Sequence, residues 1–76
     1  GKENRIRALC AAIGITTEET IAFGDADNDL EMLQLAGIGV AMGNALPQVC
    51  ACADMVTDTV ENDGIAHALQ KLKLIG

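Results

Sequence analysis

The chain has 76 residues, and half of them are hydrophobic, almost all aliphatic, because Phe23 is the only aromatic residue. A chain of this length forms one small domain that buries only about 60% of the surface its unfolded form exposes. The formal net charge of −6 makes nucleic acid and anionic membranes unexpected partners, since an acidic surface repels both.

The first two predicted elements are a helix and a strand. Apolar residues recur at helical spacing over residues 2–13, and Gly14 suits the C-terminal end of that helix. The short apolar run of residues 20–23 ends at Gly24, which is typical of a buried strand.

The middle of the chain predicts two further helices and a second strand. A helix is expected over residues 29–36, with Asn28 and Glu31 spaced as a capping pair at its start. Residues 38–42 predict a second buried strand. After it, Asn44 is positioned to cap a short helix that carries Pro47 in its first turn.

A third strand over residues 54–57 precedes the last helix, which Asp63 is expected to cap. The apolar face of that last helix is predicted to hold Ile65, Leu69, Leu72 and Ile75. Helices and strands therefore alternate along the whole chain. This alternation predicts an α/β fold with three short parallel strands and helices on both faces of the sheet.

The cysteines predict free thiols. Cys10, Cys50 and Cys52 are odd in number, and the spacing of the last two, without a second pair, suits neither a disulfide framework nor a zinc site. We expect largely buried thiols in a reducing cytoplasm. No apolar run reaches the roughly 20 residues of a membrane-spanning helix, and no signal peptide is expected.

The residues that suggest chemistry form an acidic loop, residues 24–29, directly after the first strand. Ligands of an open parallel sheet bind at the carboxyl ends of its strands, so Asp25 is expected to point into that crevice. Asp27, Asn28 and Asp29 add two carboxylates and an amide within five residues. Hard oxygen ligands of this kind suit Mg²⁺.

Some residues of the acidic loop also have simpler interpretations than metal binding. Asp27 alone is better explained by helix capping or solvent exposure, and Asn28 by a cap, a ligand-facing amide or both. A helix-loop-helix calcium loop is excluded, because its sixth and twelfth positions hold Leu30 and Ala36 instead of Gly and Glu. The glycines at 37, 39 and 43 have the wrong spacing for a dinucleotide fingerprint and predict tight turns.

His67 is the remaining side chain with a possible catalytic role. It is spaced four residues from both Asp63 and Lys71 on the last helix. That spacing predicts an exposed side chain paired along the helix surface rather than a catalytic group.

Residues 21–33 resemble the fourth motif of the haloacid dehalogenase superfamily phosphatases, most closely the Cof-type branch, subclass IIB, that acts on sugar phosphates. The resemblance continues through residues 36–45, 53–57 and 63–66. It implies a partial Rossmann-like core, a three-layer sandwich of which residues 1–76 are the C-terminal portion. It also implies hydrolysis of small phosphorylated metabolites, such as sugar phosphates, through an aspartyl-phosphate.

The resemblance assigns roles to particular residues. Asp25 is expected to ligate Mg²⁺, Asp29 to support that metal site, and Asn28 to contact phosphate or substrate. Lys2 matches the third-motif lysine, which pairs with the phosphate and the nucleophile. Glu3 departs from the family, which usually has Gly at that position.

The sequence contains no Asp-x-Asp-x-Thr motif, which supplies the nucleophile in this superfamily. The second motif and the substrate-selecting cap domain are not found either. We therefore expect the longer parent to be the phosphatase and these residues alone to be inactive. The alternative is a non-catalytic α/β module or one half of a complementing pair, and a thin sheet of this kind is expected to self-associate.

Overall fold

The computed structural model describes residues 2–76. Its helices are α1 (Lys2–Ile13), α2 (Leu30–Leu35), α3 (Pro47–Cys52) and α4 (Gly64–Lys71), and its strands are β1 (Ile21–Gly24), β2 (Ile38–Ala41) and β3 (Met55–Val56). Single 3₁₀ turns lie at Thr17–Glu19, Asp27–Asp29 and Val60–Asn62. The predicted order of helices and strands is confirmed, with most strands one or two residues shorter than expected.

The strands form one parallel sheet in the order β1-β2-β3. Phe23 of β1 lies beside Val40 of β2, which in turn lies beside Met55 of β3. Val40 and Ala41 point to opposite faces of the sheet, and both are 0% exposed, so β2 is covered on both faces. The fold is α/β, as predicted.

On one face of the sheet, β1 and β2 carry only small side chains. Ala22 pairs with Gly39, and Gly24 pairs with Ala41, so these four residues share a face. A Cβ atom at Gly39 would lie 2.4 Å from the carbonyl oxygen of Leu33, which is part of α2. The small residues therefore allow the backbone of α2 to lie almost directly on the sheet.

The end of α1 forms as the sequence predicts. Gly14 follows the helix with a φ of +78°, a conformation that glycine adopts without a steric penalty. The backbone N–H of Ile15 donates to the carbonyl oxygen of Cys10 at 2.9 Å, which satisfies one of the last helical acceptors.

Two predicted helix caps are wrong. α2 begins at Leu30 after a 3₁₀ turn, so Asn28 and Glu31 do not form its capping pair. α3 begins at Pro47 directly after Leu46, which leaves Asn44 outside the helix. In both places a backbone carbonyl replaces the side-chain cap. The N–H of Asp29 donates to the carbonyl oxygen of Ala26, and the N–H of Val49 donates to the carbonyl oxygen of Leu46.

The predicted apolar face of α4 is confirmed only in part, because Leu69 and Leu72 are half-buried while Ile65 and Ile75 are exposed. Gly64 and Ala68 are its buried residues, whereas Ile65 is 45% exposed. The helix starts against the loop after β3, where a Cβ atom at Gly64 would lie 2.0 Å from the carbonyl oxygen of Asp58. Such a close approach leaves no room for a side chain at Gly64. Asp63 precedes α4 but makes no side-chain cap hydrogen bond.

The outer edge of β1 is open within residues 2–76. The carbonyl oxygens of Thr20 and Gly24 accept hydrogen bonds from the β2 side. Because backbone groups alternate along a parallel strand, those of Ile21 and Phe23 point to the opposite edge. No strand among the described residues pairs there.

All three cysteines are free thiols, as predicted. Cys10 is buried and Cys50 is half-buried, but Cys52 is exposed, so the expectation of buried thiols holds only in part. None of the helices within residues 2–76 has both the length and the apolar character needed to cross a membrane.

Candidate active site

The acidic loop lies at the carboxyl edge of the sheet, where its sequence position predicts it. Asp25 directly follows β1, and its side chain is exposed. Gly24 has no room for a side chain, because a Cβ atom there would lie 2.6 Å from the Cβ of Asp29. The glycine thus lets the loop fold back so that Asp29 packs beneath it.

Asp29 holds the loop together. Its side chain is only 9% exposed. One oxygen, Oδ2, accepts hydrogen bonds from the backbone N–H groups of Asp25 at 3.1 Å and Ala26 at 3.3 Å. The other, Oδ1, accepts a hydrogen bond from Lys2 Nζ at 2.5 Å. Both oxygens are therefore engaged, so the contacts of Asp29 place it behind Asp25 and not at the surface of the crevice.

These contacts favour the ionised form of Asp29. The hydrogen bond from Lys2 lowers the pKa of the carboxyl, burial opposes this effect, and the two backbone N–H groups lower the pKa further. The pKa of Asp29 therefore lies below the value of 3.8 usual for the free side chain.

This pKa shift predicts acid sensitivity. As the pH falls through about 4, the unfolded chain takes up a proton at Asp29 before the folded chain does, so the stabilisation present at neutral pH is lost. Asp29→Asn is expected to lower the free energy of unfolding at pH 7 by about 1–3 kcal/mol, because it leaves Lys2 without its charged partner. Between about pH 5 and pH 2, the free energy of unfolding of Asp29→Asn is expected to fall less than that of the unmodified protein.

Urea unfolding followed by far-UV circular dichroism at several pH values measures both effects. Asp63→Asn is the matched control, because Asp63 is exposed and makes no side-chain cap hydrogen bond. If Asp29→Asn and the unmodified protein lost stability in parallel on acidification, the assigned role of Asp29 would be wrong.

Lys2 is brought to the loop from 27 residues away in the sequence. Its side chain is 49% exposed, so the ammonium group remains accessible while it contacts Asp29. Lys2, Asp27 and Asn28 are among the residues that line a cavity of about 350 Å³ beside the loop. The amide of Asn28 makes no hydrogen bond within residues 2–76 that would withdraw it from this cavity.

The structure adds two residues that the sequence did not indicate. Asn44, in the loop after β2, donates its side-chain N–H to Asp25 Oδ2 at 3.4 Å. Gln48, in the first turn of α3, donates to Asp27 Oδ1 at 2.9 Å. The two residues of each pair are 19 and 21 positions apart in the sequence, so no local sequence pattern predicts their contact. The only available signal was that the loops after β1 and β2 must meet at one edge of a parallel sheet.

The donor set suits Mg²⁺ better than a metal that needs a complete protein cage. Among residues 2–76, no three His, Cys, Asp or Glu side chains lie close enough to hold a metal by themselves. Mg²⁺ is commonly bound through one or two carboxylates, with water and substrate phosphate as the remaining ligands. Asp25 fits this pattern, because its carboxylate is exposed and its Oδ1 accepts no hydrogen bond from the described residues.

His67 lies outside this site. Its side chain is 50% exposed, which confirms the predicted surface position. Its partner was predicted wrongly, because Nδ1 lies 2.6 Å from Asp58 Oδ2 and not beside Asp63 or Lys71. The loop after β3 returns next to α4 and brings Asp58 closer than the neighbours along the helix.

The chain is similar in sequence to known proteins. The family model of haloacid dehalogenase-like hydrolases matches residues 1–69. The putative phosphatase YkrA of Bacillus subtilis is 43% identical over 74 residues, which are 97% of this chain and 29% of YkrA. An uncharacterised protein from the pdhA 5′ region of Geobacillus stearothermophilus is 47% identical over 74 residues, and the match covers 78% of its length.

Two solved structures of phosphatases from this superfamily superimpose closely. BT1666 from Bacteroides thetaiotaomicron matches 99% of this chain and 28% of its own with a TM-score of 0.94 and 43% identity. The subclass IIB sugar phosphatase BT4131 matches 92% of this chain and 27% of its own, with a TM-score of 0.89 and 46% identity. This chain therefore spans less than a third of the length of the phosphatases it matches. On the family match and these structures, the chain belongs to the haloacid dehalogenase-like hydrolases and resembles their Cof-type, subclass IIB members.

Proposed function

We propose that residues 1–76 are the C-terminal portion of a Mg²⁺-dependent phosphatase that hydrolyses phosphate monoesters of small metabolites. The observation that carries this proposal is the chain of contacts from Lys2 through Asp29 to the backbone of Asp25 at the end of β1. It brings a cation and an exposed carboxylate to one edge of the sheet, and both are groups that phosphoryl transfer uses.

Each residue of the site has a proposed role. Asp25 is the Mg²⁺ ligand that this chain supplies, and Asp29 supports the metal site by fixing the backbone of Asp25. Lys2 offsets the charge of the phosphoryl group, and Asn28 contacts the phosphate or the substrate through its uncommitted amide. Bound Mg²⁺ would supply further neutralisation of the phosphoryl oxygens.

The nucleophile is proposed to come from residues outside this chain. The printed sequence contains no Asp-x-Asp-x-Thr motif to provide an attacking aspartate. In the longer protein, an aspartate would attack phosphorus and form an aspartyl-phosphate as the ester P–O bond breaks, and the substrate alcohol would leave with a proton. Water would then attack the phosphorus of the aspartyl-phosphate, releasing inorganic phosphate and restoring the aspartate. Residues 1–76 alone are proposed to be inactive for this reason.

Small phosphorylated metabolites are the proposed substrates because of the relatives. BT4131 is described as a sugar phosphatase, and a Bacillus subtilis relative that is 53% identical over 58 residues is a 5-amino-6-(5-phospho-D-ribitylamino)uracil phosphatase. Both act on a phosphate ester of a small polyhydroxylated molecule. The free thiols, with Cys52 exposed, suit a reducing compartment, so we propose a cytoplasmic location.

Metal removal tests the proposal. The longer protein is expected to release phosphate from p-nitrophenyl phosphate and from hexose 6-phosphates when Mg²⁺ is present. Chelation with EDTA is expected to reduce the rate at least about 100-fold, because the phosphoryl charge is then offset by Lys2 alone. Added Mg²⁺ should restore activity.

Residues 1–76 expressed alone serve as the negative control and should release no phosphate above buffer. Activity that persists at full rate in EDTA would contradict the metal role. Phosphate release by residues 1–76 alone would contradict the proposal that the nucleophile lies elsewhere.

A further inference from the structure

The segment after β2 contacts the acidic loop at several points. Asn44 Nδ2 lies 3.4 Å from Asp25 Oδ2, and the backbone N–H of Leu46 donates to the carbonyl oxygen of Asp25 at 3.2 Å. Gln48 Nε2 donates to Asp27 Oδ1 at 2.9 Å. Two side chains and one backbone group of residues 44–48 thus hold the first half of the loop.

Residues 44–48 are themselves fixed to the core. The backbone N–H of Ala45 donates to the carbonyl oxygen of Met42 at 2.9 Å, and Met42 is buried. Pro47 restricts the backbone at the start of α3, and Val49 is 0% exposed within the core of the sheet. The segment is therefore a firm support, whereas Asp25 is an exposed side chain that would otherwise sample several rotamers.

Different contacts fix the backbone and the side chain of Asp25. Asp29 fixes the backbone N–H on one side of the loop, and Leu46 fixes the carbonyl on the other. Neither contact restricts the carboxylate of Asp25, which is oriented only by Asn44 among the described residues. Asn44 occupies Oδ2 and leaves Oδ1 without a hydrogen bond.

An amide suits this position chemically. It donates a hydrogen bond but carries no charge, so it orients the carboxylate without offsetting the negative charge that attracts a cation. A lysine at the same place would form an ion pair with Asp25 and compete with the metal.

We propose that Asn44 is a positioning residue that presents the carboxylate of Asp25 to Mg²⁺, and that Gln48 supports it by holding Asp27 away from the metal. The inference rests on the proposed function, because it assumes that Asp25 binds the cation. It adds that part of the affinity for Mg²⁺ is set by the loop after β2, through its contacts with Asp25 and Asp27.

Titration with Mg²⁺ tests the inference without a reaction. The backbone amide signals of the acidic loop are followed by NMR as Mg²⁺ is added to the longer protein. Asn44→Ala is expected to raise the dissociation constant for Mg²⁺ about tenfold, the effect usual for residues that orient a metal ligand. Gln48→Ala is expected to raise it by a smaller factor, about threefold. Asn62→Ala and Gln34→Ala are the matched controls, because both residues are exposed and contact no part of the loop through a hydrogen bond.

A second variant tests the contact between residue 44 and Asp25 with a side chain of nearly the same shape. Asn44→Asp places two carboxylates face to face, so its unfolding midpoint is expected to fall in metal-free buffer and to recover when Mg²⁺ is added. A merely structural role for Asn44 would lower the midpoint of Asn44→Ala without changing its dissociation constant for Mg²⁺.

The outcomes separate the two proposals. If the unmodified protein shows no Mg²⁺-dependent shifts near Asp25, the proposed function fails. If it binds Mg²⁺, and Asp25→Asn abolishes binding while Asn44→Ala binds as tightly as the unmodified protein, only the positioning role is overturned. An Asn44→Asp midpoint that is insensitive to Mg²⁺ would also overturn it.

Discussion

Replacing Asp25 with Asn in the longer protein is expected to lower the rate of phosphate release at least about 100-fold. The substitution keeps the size of the side chain and its place beside Asn44 but removes the charge that binds the cation. Because Asp25 is exposed, the fold does not depend on it, and the unfolding midpoint is expected to stay close to that of the unmodified protein. The half-saturating Mg²⁺ concentration should rise together with the loss of rate.

Steady-state assays at increasing Mg²⁺ concentrations measure this effect. Asp63→Asn is the control, since it also removes one exposed carboxylate but makes no hydrogen bond with the acidic loop and lies in a left-handed conformation that Asn tolerates. Its activity should match that of the unmodified protein. An Asp25→Asn enzyme with unchanged rate and unchanged Mg²⁺ dependence would refute the assignment of Asp25.

A large loss of stability is expected for Gly39→Ala. The new methyl group would lie 2.4 Å from the backbone carbonyl oxygen of Leu33, and a backbone atom cannot move aside without displacing α2. Overpacking of this kind is expected to cost about 3 kcal/mol, which exceeds the gain of about 0.5–1 kcal/mol from restricting the unfolded chain. Displacement of α2 should also disturb the adjoining acidic loop.

Urea unfolding measures the cost, and it must be followed by far-UV circular dichroism because the chain has no Trp or Tyr. Gly76→Ala is the matched control, since a Cβ atom there meets nothing within 4 Å. Equal stability of Gly39→Ala and the unmodified protein would mean that α2 does not lie on the sheet as closely as described.

The regular elements were predictable because their signals are local. The apolar spacing of residues 2–13 and the glycine after it were enough to place α1 and its end. The apolar runs ending near Gly24 and Gly43 located β1 and β2 in the same way. Each of these signals lies within the element it describes, so no knowledge of the rest of the fold was needed.

The errors arose where distant residues decide the outcome. Periodicity predicts Ile65 on the buried face of α4, yet it is exposed, because Gly64 lies against Asp58 and the buried positions are those of Gly64 and Ala68. The sequence predicts Asn44 as a helix cap, because Asn is a common capping residue and Pro47 suits the first turn of a helix. Its contact with Asp25, 19 residues earlier, is set by the packing of two strands and has no local signal.

The candidate site was predictable in its position and partly in its members. The order of strands and the acidic loop indicated the carboxyl edge of β1, and the family resemblance added Lys2. Neither could indicate that both oxygens of Asp29 are engaged by Lys2 and the loop backbone, because burial of that carboxylate depends on how the loop folds over Gly24.

Within residues 2–76, one edge of β1 has no neighbouring strand and could pair with another strand. β3, at the other margin, is only two residues long and offers little backbone for a neighbour, whereas Ile21 and Phe23 offer two sets of donors and acceptors. A strand added in parallel beside β1 would end level with Gly24, at the carboxyl edge of the sheet. The residue that followed it would then lie beside Asp25, so a strand at this edge would bring a further side chain to the candidate site.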